Sequence, residues 1–159
     1  MNEIDIINNL KKIINNNSAL NFSDDVFFDK KNSLVASIDT YNEKIHFLNF
    51  KNPKLVIKKV IRSSISDIIS KGVDPKYLLV SFSGSEKHFN TTNVKKIINS
   101  IKNEQKKYKF SLTGGDTTYS NQASFTLCVF GIAKKIIKRN FSQINDDIYI
   151  TGNIGDSSV

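Results

Sequence analysis

One apolar stripe near the middle of the chain constrains its fold more than any other feature. From Pro53 onward, Val56, Ile57, Val60, Ile61, Ser64, Ile65, Ile68 and Ile69 recur at three- and four-residue spacing until Gly72. Successive helical residues turn by about 100°, so these positions fall on one side of a helix. Proline suits the first turn of such a helix and glycine its end. An aliphatic stripe of this width has to be covered by a second layer. Leu34-Val35-Ala36-Ser37-Ile38, which ends on Asp39-Thr40, and Tyr77-Leu78-Leu79-Val80-Ser81-Phe82 are the strands that would supply it.

The remaining segments fit the same plan. Glu3 to Ile14 reads as an amphipathic helix carrying Ile4, Ile7, Leu10 and Ile14, stopped by Asn15-Asn16-Asn17-Ser18. Thr91 to Lys107 reads as another, with Val94, Ile97, Ile98 and Ile101 on one face. Phe110-Ser111-Leu112 is a short strand running into Gly114-Gly115-Asp116. Ser124 to Ile132 is a long strand, Lys134 to Asn145 a basic turn region, and Asp147 to Gly152 the start of a further strand. Helices and strands in this order predict an α+β fold, a mixed β-sheet covered by helices on one face. The ending Gly155-Asp156-Ser157-Ser158-Val159 reads as cut off. The expected division is therefore residues 1–145 as one domain and 146–159 as the start of a second.

Composition narrows the class. With 39% hydrophobic and 24% charged residues in 159, the chain reads as globular rather than disordered. No apolar run reaches the length of a membrane span, and the acidic N-terminus is unlike a signal peptide, so no membrane partner is expected and the location reads as cytoplasmic. The lone Cys128 lies in an apolar run and reads as a small core residue. The net charge of +8 would suit a polyanion, and a basic nucleic-acid-binding module is one reading. Against it, Arg62 and Arg139 are the only arginines, whereas base readers favour that side chain. The lysines accompany abundant asparagine and isoleucine and are spread along the chain, so no nucleic-acid partner is expected.

The chemistry rests on aspartates. Asp25 follows Asp24 ahead of a strand, Asp39 ends one, Asp67 lies in the central helix, and Asp116 follows a double glycine. Asp67 is seven residues beyond Val60 and three beyond Ser64, which places it on the burying stripe. There it needs a lysine, several hydroxyls or a metal as partner, unless it lies at the stripe's edge and reaches solvent. In Thr113-Gly114-Gly115-Asp116-Thr117-Thr118, glycines permit close backbone approach, and the aspartate and threonines offer the hard oxygens that magnesium prefers. The same run also makes a tight turn between strands. There is no phosphate loop of the Gly-x-x-x-x-Gly-Lys type and no zinc spacing.

Taken in order, the run of motifs resembles thiamine-monophosphate kinase, of the superfamily that includes aminoimidazole ribonucleotide synthetase. Those motifs are Asp24-Asp25, Ser37-Ile38-Asp39-Thr40, His46-Phe47, Ser66-Asp67, Gly114-Gly115-Asp116-Thr117-Thr118 and Thr151-Gly152-Asn153-Ile154-Gly155-Asp156-Ser157. The resemblance implies two α+β domains, with amino-terminal domains whose sheets pair into a barrel across a homodimer. It implies that Asp25, Asp39, Asp67 and Asp116 bind several Mg2+ ions bridging the ATP phosphates. Ser37 would add its oxygen and Ile38 its backbone carbonyl. Gly115, Asp116, Arg139 and Asn99 would lie on ATP, and His46 on thiamine monophosphate. The implied reaction is phosphorylation of thiamine monophosphate to thiamine diphosphate. The acceptor oxygen is already ionised, so no general base is assigned and no catalytic residue beyond the metal scaffold. In that family a second domain completes the pocket, so this chain is expected to be inactive alone. A sister enzyme such as aminoimidazole ribonucleotide synthetase is the nearest alternative.

Overall fold

The computed structural model describes residues 2–150 and residue 152. Five strands form one sheet in the order β1-β2-β5-β3-β4. Their ranges are β1 Phe27–Asp29, β2 Leu34–Asn42, β3 Pro75–Gly84, β4 Ser111–Tyr119 and β5 Ser124–Ile132. All neighbouring pairs are antiparallel except β3 and β4, which run parallel. The parallel pair is joined by a crossover helix, as parallel strands require.

The helices are α1 Glu3–Lys11, α2 Pro53–Ile69 and α3 Thr91–Tyr108. The α2 stripe is buried as its spacing predicts: Val56, Ile57, Val60, Ile61, Ser64, Ile65 and Ile68 all lie inside. Ile69, at the edge of the stripe, is exposed. The side chain of Asn52 accepts from the Leu55 amide at the helix start. Across from the stripe, the sheet presents Val35, Leu78, Val80, Phe125, Leu127 and Val129, all buried. α3 lies outside α2. The two are clamped by the Arg62 guanidinium, which donates to both carboxylate oxygens of Glu104 at 2.8 and 3.1 Å.

Four expectations from sequence need correction. α1 ends at Lys11 rather than Ile14 and buries nothing: Ile4 is 68% exposed. Its apolar spacing is real, but the helix packs against the segment Asn17–Phe22 rather than on the sheet. Cys128 is only half-buried and does not join the core. Phe125, Leu127 and Val129 take the helix side of β5, so two-residue alternation turns Cys128 to the open side, opposite Ile38. The run Thr113 to Thr118 is not a turn: β4 continues straight through it to Tyr119. Gly115 lies flat against β3, where a Cβ would come 1.8 Å from the Val80 carbonyl oxygen, so only glycine permits that ladder. Residues 147–150 form no strand, and Ile148 and Tyr149 are about nine-tenths exposed. Except for Gly152, the motif from Thr151 to Ser157 lies outside the described residues.

Candidate functional site

Strand alternation and the helical stripe bring the predicted residues together. Val35, Ser37, Asp39 and Tyr41 share the helix-facing side of β2. α2 runs back over them, so Ser64 meets Tyr41 and Asp67 meets Ser37. The buried Ser37 hydroxyl donates to Asp67 Oδ2 at 2.9 Å, and the Tyr41 hydroxyl donates to Asp39 Oδ2 at 3.2 Å. The Ser64 hydroxyl donates to the Tyr41 oxygen, also at 3.2 Å. Asp67 therefore has the hydroxyl partner its position demanded. It comes from a strand thirty residues away rather than from Ser63 or Ser66 beside it.

The loop before β1 adds Asp24 and Asp25. The Lys71 ammonium, just beyond α2, stands 2.6 Å from Asp24 Oδ1 and 3.8 Å from Asp25 Oδ2. Arg139 reaches the same loop: its amide donates to Asp24 Oδ2 at 3.1 Å, and its guanidinium pairs with Asp25. A cavity of about 380 Å³ adjoins the site, with Asp24, Asp25, Ser37 and Ile38 among its walls.

The electrostatics divide the site in two. Burial works to raise Asp24, but Lys71 and the amides of Arg139 and Asp25 outweigh it and hold the carboxyl below its ordinary range. Asp39 and Asp67 go the other way. Burial is the main cause for both. The charge of Asp25 adds to it at Asp39, and the charges of Asp39 and Asp25 add to it at Asp67, against the hydroxyls of Tyr41 and Ser37. Among the described residues neither has an ion-pair partner. These are hard-oxygen donors short of positive charge, and that donor set fits magnesium. Among the described residues no three acidic, histidine or cysteine side chains converge on one ion position. That arrangement fits ions held by one or two carboxylates each and completed by phosphate oxygens or water.

Other predicted residues lie elsewhere. Ile38 points to the open side of the sheet, 68% exposed, and its backbone pairs in register with Cys128. Gly115 stands on the row Asp39, Leu127, Val80, Gly115, and Asp116 on the row Thr40, Thr126, Ser81, Asp116. Three strand spacings separate β2 from β4, about 14 Å, and alternation aims Asp116 to the open face. Asn99 is exposed on α3 beside Ser100, whose hydroxyl donates to the Lys54 carbonyl at the far end of α2 from Asp67. His46 packs edge-on against the Tyr41 ring at 5.6 Å, and its Nδ1 accepts from the Asn42 amide. It borders a groove of about 690 Å³ that also carries Lys44, Lys51 and Lys59.

Three contributors were not assigned from sequence. Tyr41 was legible, because two-residue alternation puts it on the face of Asp39. Asp24 was noticed only as the neighbour of Asp25. Lys71 carries no signal that separates it from the other lysines.

A mixed sheet covered by helices on one side, with an acidic cleft beside its central helix, defines the class as an α+β domain. Residues 19–134 match the family described as AIR synthase related protein, N-terminal domain, and the chain belongs to that family. It is similar to thiamine-monophosphate kinase of Buchnera aphidicola subsp. Acyrthosiphon pisum, 35% identical over 131 residues. That match covers 81% of this chain and 40% of the relative. The Methanocaldococcus jannaschii thiamine-monophosphate kinase is 29% identical over 158 residues, covering 98% and 49%. A solved structure described as "AaThiL complexed with AMPPCP and TMP" superposes with a TM-score of 0.79 at 25% identity, covering 89% of this chain and 45% of that one. The chain spans less than half the length of these relatives.

Proposed function

We propose that this chain is the ATP- and magnesium-handling part of a thiamine-phosphate kinase, which passes the terminal phosphoryl group of ATP to thiamine monophosphate. The observation that carries the reading is the pair Asp39 and Asp67, half-buried and, among the described residues, without an ion-pair partner. Family membership and the similarity to thiamine-monophosphate kinases support it.

In this reading Asp25, Asp39, Asp67 and Asp116 hold Mg2+, with Ser37 and the Ile38 carbonyl beside them. Bound magnesium neutralises the phosphates of donor and acceptor. The chain's own residues orient the reactants. Arg139 offers a planar two-donor group to a phosphate at the cleft mouth. The lysines beside His46 present positive charge to the acceptor phosphate, His46 offers its other ring nitrogen as a hydrogen-bond donor, and Gly115 lies toward the nucleotide. None of these groups needs to take a proton.

The reading includes a homodimer. β4 is exposed on both faces, and the open side of the sheet carries Ile38, Tyr77 and Leu79, which are 68%, 49% and 38% exposed. A second copy laid over that side would cover apolar surface and an unpaired edge together. It would also bring another chain to Asp116, which faces outward there. Residues 1–145 form this binding and dimerising unit, and a cytoplasmic location goes with the reading.

The test is formation of thiamine diphosphate from ATP, Mg2+ and thiamine monophosphate by the protein that contains this chain. Product that requires all three is expected. A folded protein that binds Mg2+ and ATP yet leaves thiamine monophosphate untouched would move the acceptor to that of a sister enzyme.

A further inference from the structure

Lys71 is the one lysine among the described residues that the fold takes out of water, at 5% exposure. Burying an ammonium is costly unless it is paired, and this one is held in place from several sides. Its amide donates to the Ile68 carbonyl, and its carbonyl accepts from the Ile137 amide at 3.0 Å. Gly72 follows with φ of +73°, and a Cβ there would press on the Ile137 side chain at 3.3 Å. The backbone is thus fixed, and the side chain reaches back to Asp24, whose side chain is only 3% exposed. The ammonium stands between Asp24 Oδ1 and Asp25 Oδ2, nearer the first.

We propose that Lys71 is a resident cation of the acidic site. Its ammonium fills the space between Asp24 and Asp25 that an exchangeable divalent ion would otherwise take. Divalent ions are thereby kept off Asp24 and left to Asp25, Asp39, Asp67 and Asp116. The inference rests on the divalent-cation reading given above. A second cation at Asp24 would meet the ammonium at contact distance, and like charges that close repel strongly in a partly dry site.

The experiment is a Mn2+ titration without nucleotide, by calorimetry and by the spin-resonance signal of free Mn2+, on the wild-type chain, Lys71→Met and Lys71→Arg. The arginine variant should match wild type. The methionine variant should bind a further equivalent of Mn2+, or bind it roughly tenfold more tightly, as loss of one nearby like charge implies. A folded methionine variant with unchanged Mn2+ binding overturns the role of Lys71 and leaves the divalent-cation reading standing. No Mn2+ binding by any of the three overturns that reading and this inference with it. If the methionine variant does not fold, ¹⁵N-lysine NMR of the wild-type chain decides. A separate Lys71 ammonium resonance that persists at saturating Mg2+ is expected, and its collapse onto the solvent-exposed lysine signals overturns the proposal.

Discussion

The Ser37 hydroxyl donates to Asp67 Oδ2 across thirty residues of chain and ties the sheet directly to a carboxylate of the helix in the acidic cleft. It does not bring Asp67 back to ordinary acidity. Asp67 and Asp39 both stay above the carboxylate value of 3.8. A carboxyl with a raised pKa binds its proton more tightly when folded. Its contribution to stability is complete below the unfolded value and is lost as pH rises through the folded one. Urea denaturation of the metal-free chain should show these two groups eroding stability from about pH 4 upward. Asp67→Asn should remove part of that slope and make the chelated protein more stable at pH 7. An unchanged slope between pH 4 and 7 would contradict the assignment. Asp24 works in the opposite sense, and its contribution disappears as pH falls below the ordinary range.

Magnesium should reverse the loss. A ligand present at about a hundred times its dissociation constant adds roughly 3 kcal/mol to the folded state. Millimolar MgCl2 should therefore raise the melting temperature of the wild-type chain by several degrees. Asp39→Asn should begin higher without metal and gain little from it. Equal Mg2+ shifts in both proteins would remove Asp39 from the metal ligands.

The site was unevenly legible. α2, β5 and the contents of the sheet's helix side followed from aliphatic spacing, because burial leaves no freedom over which residues face inward. β4 was not legible past Leu112. Its residues are polar and exposed on both faces, so they show no alternation, and two glycines resemble a turn unless the Val80 carbonyl is known to lie against them. Asp67 announced itself by standing on a burying stripe. Asp116 stood out beside its double glycine, whereas Asp25 and Asp39 stood out through the ordered set of motifs rather than through local pattern. Lys71 could not be distinguished at all, since its role depends on a loop forty-seven residues earlier in a chain with 23 lysines and arginines.

Gly115→Ala should be among the most damaging single-methyl changes available. The added carbon would lie 1.8 Å from the Val80 oxygen, and backbone cannot swing aside as a side chain can. A loss of roughly 3 kcal/mol or more is expected, with fast hydrogen exchange along β4. At Gly114 the nearest atom is the flexible Leu79 Cδ2 at 3.2 Å, so the cost of alanine there should be smaller and come mainly from its φ of +157°, about 1–3 kcal/mol. Equal effects at the two positions would argue against the close β3–β4 approach.

The Arg62–Glu104 pair holds α3 onto α2, with Glu104 nearly dry and the Arg62 side chain one-third exposed. Glu104→Gln should cost about 1–3 kcal/mol, the lower part of the range for a broken buried pair because solvent reaches the guanidinium. A double-mutant cycle with Arg62→Met measures the coupling. A coupling near zero would leave the two helices held by the packing of Ile97 and Ile101 and by the Ser100–Lys54 hydrogen bond.

Asp116→Asn should separate chemistry from folding. The residue is exposed on an edge strand, so the unfolding free energy should stay within about 0.5 kcal/mol of wild type. Turnover should fall at least a hundredfold if the carboxylate holds a metal at the transferring phosphate, about the loss seen when one preorganised electrostatic group is removed. Near-normal turnover would take Asp116 out of the site.

The place of β5 between β2 and β3 has a consequence for how the chain comes into being. Both older strands need it: β2 pairs along its whole length with β5, and so does nearly all of β3 on its other edge. A ribosome makes β5 after all of them. At about 5–20 residues per second, on the order of ten seconds pass between the emergence of Asn42 and that of Ser124. Throughout that interval the α2 stripe has no finished floor beneath it. The nascent chain must carry its most aliphatic surface uncovered until Phe125, Leu127 and Val129 arrive, and that is when a chaperone would find most to hold.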